Sequence, residues 1–192
     1  MTKRILLAGV LGGLALFVWG AVSHMALGLG SVGMEYLPQQ QLVMQAMNAS
    51  VSQPGFYMFP RGDQKGNLPA ERVGGAWGLV IYHPTGASSM RPEQLLNECL
   101  LNIVLALLAA YLLSLAPGLN GYRARVGFVV VLGTVVALMT HVQYWNWYGF
   151  PTSYTVANIV QNIAGFLVVG LVAAAFVKPY SARVVAMPAR AA

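Results

Sequence analysis

The sequence predicts an all-α integral membrane protein, a four-transmembrane-helix bundle with an extracytoplasmic insert between helices 1 and 2. Three observations predict it. The chain is 57% hydrophobic and only 8% charged, where a soluble domain carries about 25% charged residues. Mean hydropathy over the whole chain is +0.63. The apolar residues gather in four runs, each close to the ~20 residues that a helix needs to cross roughly 30 Å of hydrocarbon. This composition excludes a soluble enzyme, a disordered tail and a nucleic-acid-binding protein.

The first segment, residues 1–31, holds the apolar run Ile5 to Ala21, which extends weakly to Leu29. Met-Thr-Lys-Arg at its start has the look of a signal-peptide n-region. A signal peptide, however, has an apolar core of only about 7–15 residues and a small-residue cleavage site. This run is longer and no such site follows, so it reads as a membrane helix that is retained.

Residues 32–94 form the polar insert. Pro38 followed by an alternation of Gln with Leu, Val, Met and Ala reads as a short helix, with the proline near its first turn. Gly55 to Pro60 and Trp77 to His83 are β-branched or aromatic and read as two strands able to pair as a hairpin. Residues 61–71 are rich in Gly, Pro and charge and read as a loop. So short a segment buries little core alone, so it is expected to rest on the helices.

Residues 95–177 carry the other three spans, at 95–116, 126–147 and 154–177. Pro117-Gly118 stops the second, and Lys178-Pro179 stops the fourth. The connector Gly118–Arg125 is basic, and the connector Trp145–Ser153 is aromatic. Residues 178–192 form a basic tail.

Charge sets the expected orientation. Lys3, Arg4, Arg123, Arg125, Lys178, Arg183 and Arg190 have no acid near them, and all five acids fall between residues 35 and 98. Such segregation is the positive-inside pattern. It places both termini and the 118–125 connector in the cytoplasm, the insert outside, and the protein in the inner, or plasma, membrane. Trp145, Trp147, Tyr148 and Tyr154 then form an aromatic belt at the outer interface.

Under this topology the polar residues of the spans fall in the outer half of the bilayer. The candidate ligand-binding residues are His24, Glu98, Asn102, His141, Asn158 and Asn162; Gln143 and Gln161 accompany them. At about 100° per residue, Gly9, Gly13, Gly20 and His24 share one stripe of the first helix. Gly127, Thr134 and His141 share another, as do Glu98, Asn102 and Ala109, and Asn158, Asn162 and Gly165. Small residues mark close helix packing in lipid, so these stripes are expected to face the bundle interior.

Two readings of the cluster stand open. Intramembrane ionisable groups are costly and point to a functional site. His24, His141 and Glu98 could hold a divalent metal, the two histidines could be axial haem ligands, and the whole set could receive a quinone or another small polar head. The alternative is structural, with amides joining helices by hydrogen bonds. The chain has one cysteine, Cys99, so no intrachain disulfide forms and no thiol–metal motif exists. Met25 and Met139 lie near the two histidines but are ordinary gap-fillers in apolar packing. Arg61-Gly62-Asp63 reads as a loop tripeptide, and Asn48-Ala49-Ser50 fits a glycosylation acceptor. No phosphate loop, dinucleotide fingerprint or nucleophile elbow is present. The expected function is non-enzymatic: binding of a ligand or partner through the outer polar layer, in the manner of an accessory membrane subunit. The redox, haem- or metal-binding reading is the alternative.

Overall fold

The computed structural model describes residues 2–60, 75–86 and 90–178. The readings of residues 61–71 as a loop and of residues 179–192 as a tail lie outside the described residues. Among the described residues, four helical segments are long and apolar enough to cross a membrane: Thr2–Ala26, Pro92–Leu115, Tyr122–Tyr148 and Thr152–Phe176. The first comprises helix α1 (Thr2–Ala21) followed by a single π turn, Val22–Ala26. Between the first and second spans come α2 (Gln40–Ser50) and strands β1 (Gly55–Phe59) and β2 (Gly78–Tyr82). Helix α3 (Pro92–Leu115) is the second span. The third is α4 (Tyr122–Ala137), a π turn at Leu138–Val142, and α5 (Gln143–Tyr148). Helix α6 (Thr152–Phe176) is the fourth.

Local chemistry explains the ends. Pro92 opens α3, where its missing N–H costs nothing. Gln94 Oε1 accepts from the Arg91 backbone N–H at 3.0 Å, half of a capping box. Gly149, at φ +68°, ends α5 in the left-handed conformation. The chain then stacks Tyr144 on Phe150, with ring centroids 5.4 Å apart, and Phe150 against Tyr154 at 5.3 Å. Trp145 Nε1 donates to Thr152 Oγ1 across the same turn at 3.1 Å.

The strands pair antiparallel, Gly55 with Tyr82 through Phe59 with Gly78. Tyr82, buried on the hairpin, donates its hydroxyl to Asn48 of α2. Trp77, just before β2, reaches the backbone at Gly149, so the hairpin meets the bundle at the aromatic turn.

In the bundle α1 packs on α3 and α6, and α4 packs on α6, so α6 stands between α1 and α4. The pairs are antiparallel. Gly9 meets Leu107 while Gly13 meets Ile103, and Gly133 meets Phe166 while Gly170 meets Val126 and Val129. The end that holds the start of α1 and the end of α6 is closed by small side chains: Ala8, Ala106, Ala109, Ala110, Val169 and Ala173 are nearly inaccessible. Arg125 is also buried there. Its Nε donates to the Ala174 carbonyl at 3.2 Å, and its Nη1 to those of Asn120 at 2.8 Å and Leu119 at 3.4 Å. It thereby ties the start of α4 to the last turn of α6, where carbonyls lack helical partners.

One of the sequence stripes opens onto space within the bundle, and another is displaced. On α1 the close approach uses Gly9, Gly12 and Gly13, whereas a Cβ at Gly20 would meet nothing within 4 Å. On α4 the same holds for Gly127, and the packed face is Val126, Val129, Gly133 and Ala137. A heptad drifts by about 20° per repeat on a straight helix, so the stripe drawn back from His141 slides off the packed face.

Candidate functional site

Both histidines of the spans lie in π turns, His24 in Val22–Ala26 and His141 in Leu138–Val142. A π turn holds one residue more than an α turn, and such turns recur at functional sites. In an unbroken helix His141 would lie about 80° round from Gly133, at 100° per residue. The extra residue turns it back toward the packed face, and there it meets α6.

Helix α6 gives each histidine an amide. Gln161 Nε2 lies 3.2 Å from His24 Nδ1, and Asn162 Nδ2 lies 2.7 Å from His141 Nε2. Successive residues point about 100° apart, so one amide faces α1 and the next faces α4. His24 Nδ1 is also 3.0 Å from the Gly20 carbonyl and 3.3 Å from Ser23 Oγ. Ser23, fully buried, donates to that same carbonyl at 2.9 Å. Trp19 Nε1 donates across to the Gln161 backbone carbonyl at 3.0 Å.

On α3, Asn102 is buried with 6% of its surface exposed, and its Nδ2 donates to Glu98 Oε1 one turn away at 3.2 Å. Asn158 donates only within α6, to the Tyr154 carbonyl at 2.8 Å.

These side chains surround a cleft of about 250 Å³ between α1, α3 and α6. His24, Glu98, Asn102, Gln161 and Asn162 form its polar side. Leu16, Trp19, Leu101, Leu105 and Phe166 form its apolar side, and Gly20 supplies open wall. Of the six candidate residues, the structure brings His24, Glu98, Asn102 and Asn162 to the cleft. His141 and Asn158 do not line it; His141 stands behind Asn162 on the α4 side. Among the described residues, no three His, Cys, Asp or Glu side chains gather closely enough to hold a metal ion. His24, His141 and Glu98 are thus not one such group.

Trp19 is a site residue that the sequence did not single out, and Gln161, noted there only as a companion of the candidates, belongs to the site as well. At about 100° per residue Gln161 lies about 60° from Asn158 and about 100° from Asn162, to one side of a stripe drawn for a single neighbour. A helix with two neighbours presents two faces, and the adjacent polar pair Gln161-Asn162 is the signal of that.

Comparison of the chain with protein-family models, with curated proteins and with solved structures gives no match.

Proposed function

We propose that this protein is a non-enzymatic, multi-pass protein of the inner membrane that holds the head of a small amphiphile in the cleft between α1, α3 and α6. The observation that supports this reading is the cleft itself, where four polar side chains and Gln161 converge above an apolar floor. Pockets for small molecules have this make-up, mostly apolar with a few placed polar groups, at volumes of about 300–1,000 Å³. At about 250 Å³ this one suits a headgroup rather than a whole ligand.

The positive-inside pattern puts both termini in the cytoplasm and the cleft in the outer leaflet. The residues between the first two spans are then extracytoplasmic. The closed packing at the terminal end favours binding over transport, because a carrier needs polar groups through both leaflets. The apolar side chains exposed beyond the spans, Leu42, Met44, Phe56 and Ile81 among them, suit an accessory subunit that touches lipid or another membrane protein. The redox alternative needs His24 and His141 to share a ligand. Their bonds to successive residues of α6, on two sides of it, favour the binding reading instead.

Filling the cleft tests the proposal. A Cβ added at Gly20 meets no neighbour within 4 Å, and Gly20 lines the cleft, so Gly20→Leu should fill the cleft rather than force helices apart. Native mass spectrometry of wild-type protein should detect a bound amphiphile that Gly20→Leu lacks, with no loss of thermal stability. Equal occupancy in both proteins, or none in the wild type, would overturn the reading.

A further inference from the structure

The hydrogen-bond inventory of the cleft indicates what kind of head it takes, an inference that rests on the binding reading above. Part of the donor capacity around it is already engaged. The Trp19 indole has one N–H, and the Gln161 backbone carbonyl takes it at 3.0 Å. Asn162 Nδ2 is shared between His141 Nε2 at 2.7 Å and the Asn158 carbonyl at 3.1 Å. Gln161 Nε2 lies beside His24 Nδ1 and Asn102 Nδ2 donates to Glu98, each with a second N–H to spare. The acceptors are not matched in the same way. Asn102 Oδ1, Asn162 Oδ1 and the second carboxylate oxygen of Glu98 accept no hydrogen bond among the described residues.

The charges point in the same direction. Glu98 is the one acidic side chain on the cleft, no Lys or Arg lines it, and Glu98 has no ion-pair partner among the described residues. His24, the other titratable group there, has Nδ1 turned to the Gly20 carbonyl and the Gln161 amide. A quinone head presents only carbonyl oxygens, which can use the spare amide N–H groups but offer the Glu98 carboxylate nothing to bind. An ammonium presents N–H donors and a positive charge, and no acceptor. Trp19 and Phe166 on the lining offer aromatic faces, which attract a cation held within about 6 Å. Leu16, Leu101 and Leu105 leave an apolar bed for a chain.

We propose that the cleft selects amphiphiles whose head is a primary ammonium, seated against Glu98, Asn102 and Asn162, with the alkyl chain lying along Leu101 and Leu105. An aminophospholipid of the surrounding leaflet and a free long-chain amine both present this chemistry.

Native mass spectrometry in neutral detergent, titrating decylamine, decanol, phosphatidylethanolamine and phosphatidylglycerol in turn, tests the proposal. Decylamine should bind at least about tenfold more tightly than decanol, the ratio expected of one charge-assisted hydrogen bond. Glu98→Gln should remove that preference, while Glu35→Gln, the same charge lost outside the cleft, should retain it. Preference for phosphatidylethanolamine over phosphatidylglycerol, lost in Glu98→Gln, supports the proposal with lipid as the source. Binding of decylamine without either lipid supports it with a free amine as the source. Equal binding of amine and alcohol, or an unchanged preference in Glu98→Gln, overturns the ammonium assignment and leaves the cleft as a binding site. Binding of no probe overturns both.

Discussion

The glycines of α1 permit a graded test of how its two ends are used. At Gly13 an added Cβ would lie 2.6 Å from the Ile103 backbone nitrogen and 2.8 Å from Ile103 Cγ1. Non-bonded carbons prefer about 3.5–4.0 Å, so Gly13→Ala must move α1 and α3 apart by on the order of 1 Å. A gap of that size forfeits a quarter to a half of the dispersion in each contact that it opens, and overpacking of this kind costs about 1–3 kcal/mol. Replacing a helical glycine by alanine also stabilises the helix by about 0.8–1.0 kcal/mol. That gain applies equally at Gly20, where the new methyl meets nothing within 4 Å. The difference between the two variants therefore isolates the steric term. At roughly 2–4 °C per kcal/mol for a chain of this size, Gly13→Ala should melt roughly 2–12 °C below Gly20→Ala. Gly12→Ala, whose Cβ would sit 3.3 Å from Ala106 Cβ and 3.7 Å from Val169 Cγ1, should fall between them. Thermal unfolding in detergent, followed by circular dichroism, measures the order. Equal melting temperatures for Gly13→Ala and Gly20→Ala would refute the packing of α1 on α3.

Three further outcomes are expected. Arg125→Ala should destabilise the protein by about 1.5–3 kcal/mol, the worth of hydrogen bonds to a charged group; Arg125→Lys should not restore it, since a single ammonium cannot reproduce the guanidinium fork across Leu119, Asn120 and Ala174. Recovery by lysine in a thermal melt would show that charge alone matters. Asn162→Leu and His141→Leu should each cost about 0.6–1.7 kcal/mol, as interhelical hydrogen bonds in membranes do, and the double variant should cost less than their sum; strict additivity would mean that the 2.7 Å contact carries no energy. In a Cys99→Ser background, cysteines at Ser52 and Gly121 should react with an impermeant thiol reagent from opposite faces of the membrane, and labelling of both from one face would contradict the orientation.

The helices were legible because length and hydropathy act over whole runs. Each of the four apolar runs became one helical span, and the β-branched and aromatic stretches near Phe56 and Val80 became the paired strands. Facing was harder to read. Regular geometry, at about 100° per residue, put Gly127 on a contact stripe, and it is open to space, whereas Gly20 faces the bundle as its stripe requires but at the cleft. The error at Gly127 comes from drawing the stripe back from His141, and nothing in the composition of Leu138–Val142 announces the π turn there. The polar residues of the site were visible as types, since Asn, Gln, His and Glu stand out in an apolar span. Their partners were not, because partnership depends on which helices α6 separates. Arg125 was read as a topology charge, and its burial against the end of α6 follows from three-dimensional packing that charge patterning does not encode.

The most direct test of the central claim is a structure of the protein in lipid nanodiscs, solved by electron cryomicroscopy with a bound antibody fragment to add mass. Non-protein density should fill the cleft between Trp19, Glu98, Asn102 and Asn162, with a chain-like extension along Leu101 and Leu105. A cleft closed by protein side chains, with Glu98 turned away from Asn102 and no density between α1, α3 and α6, would contradict it.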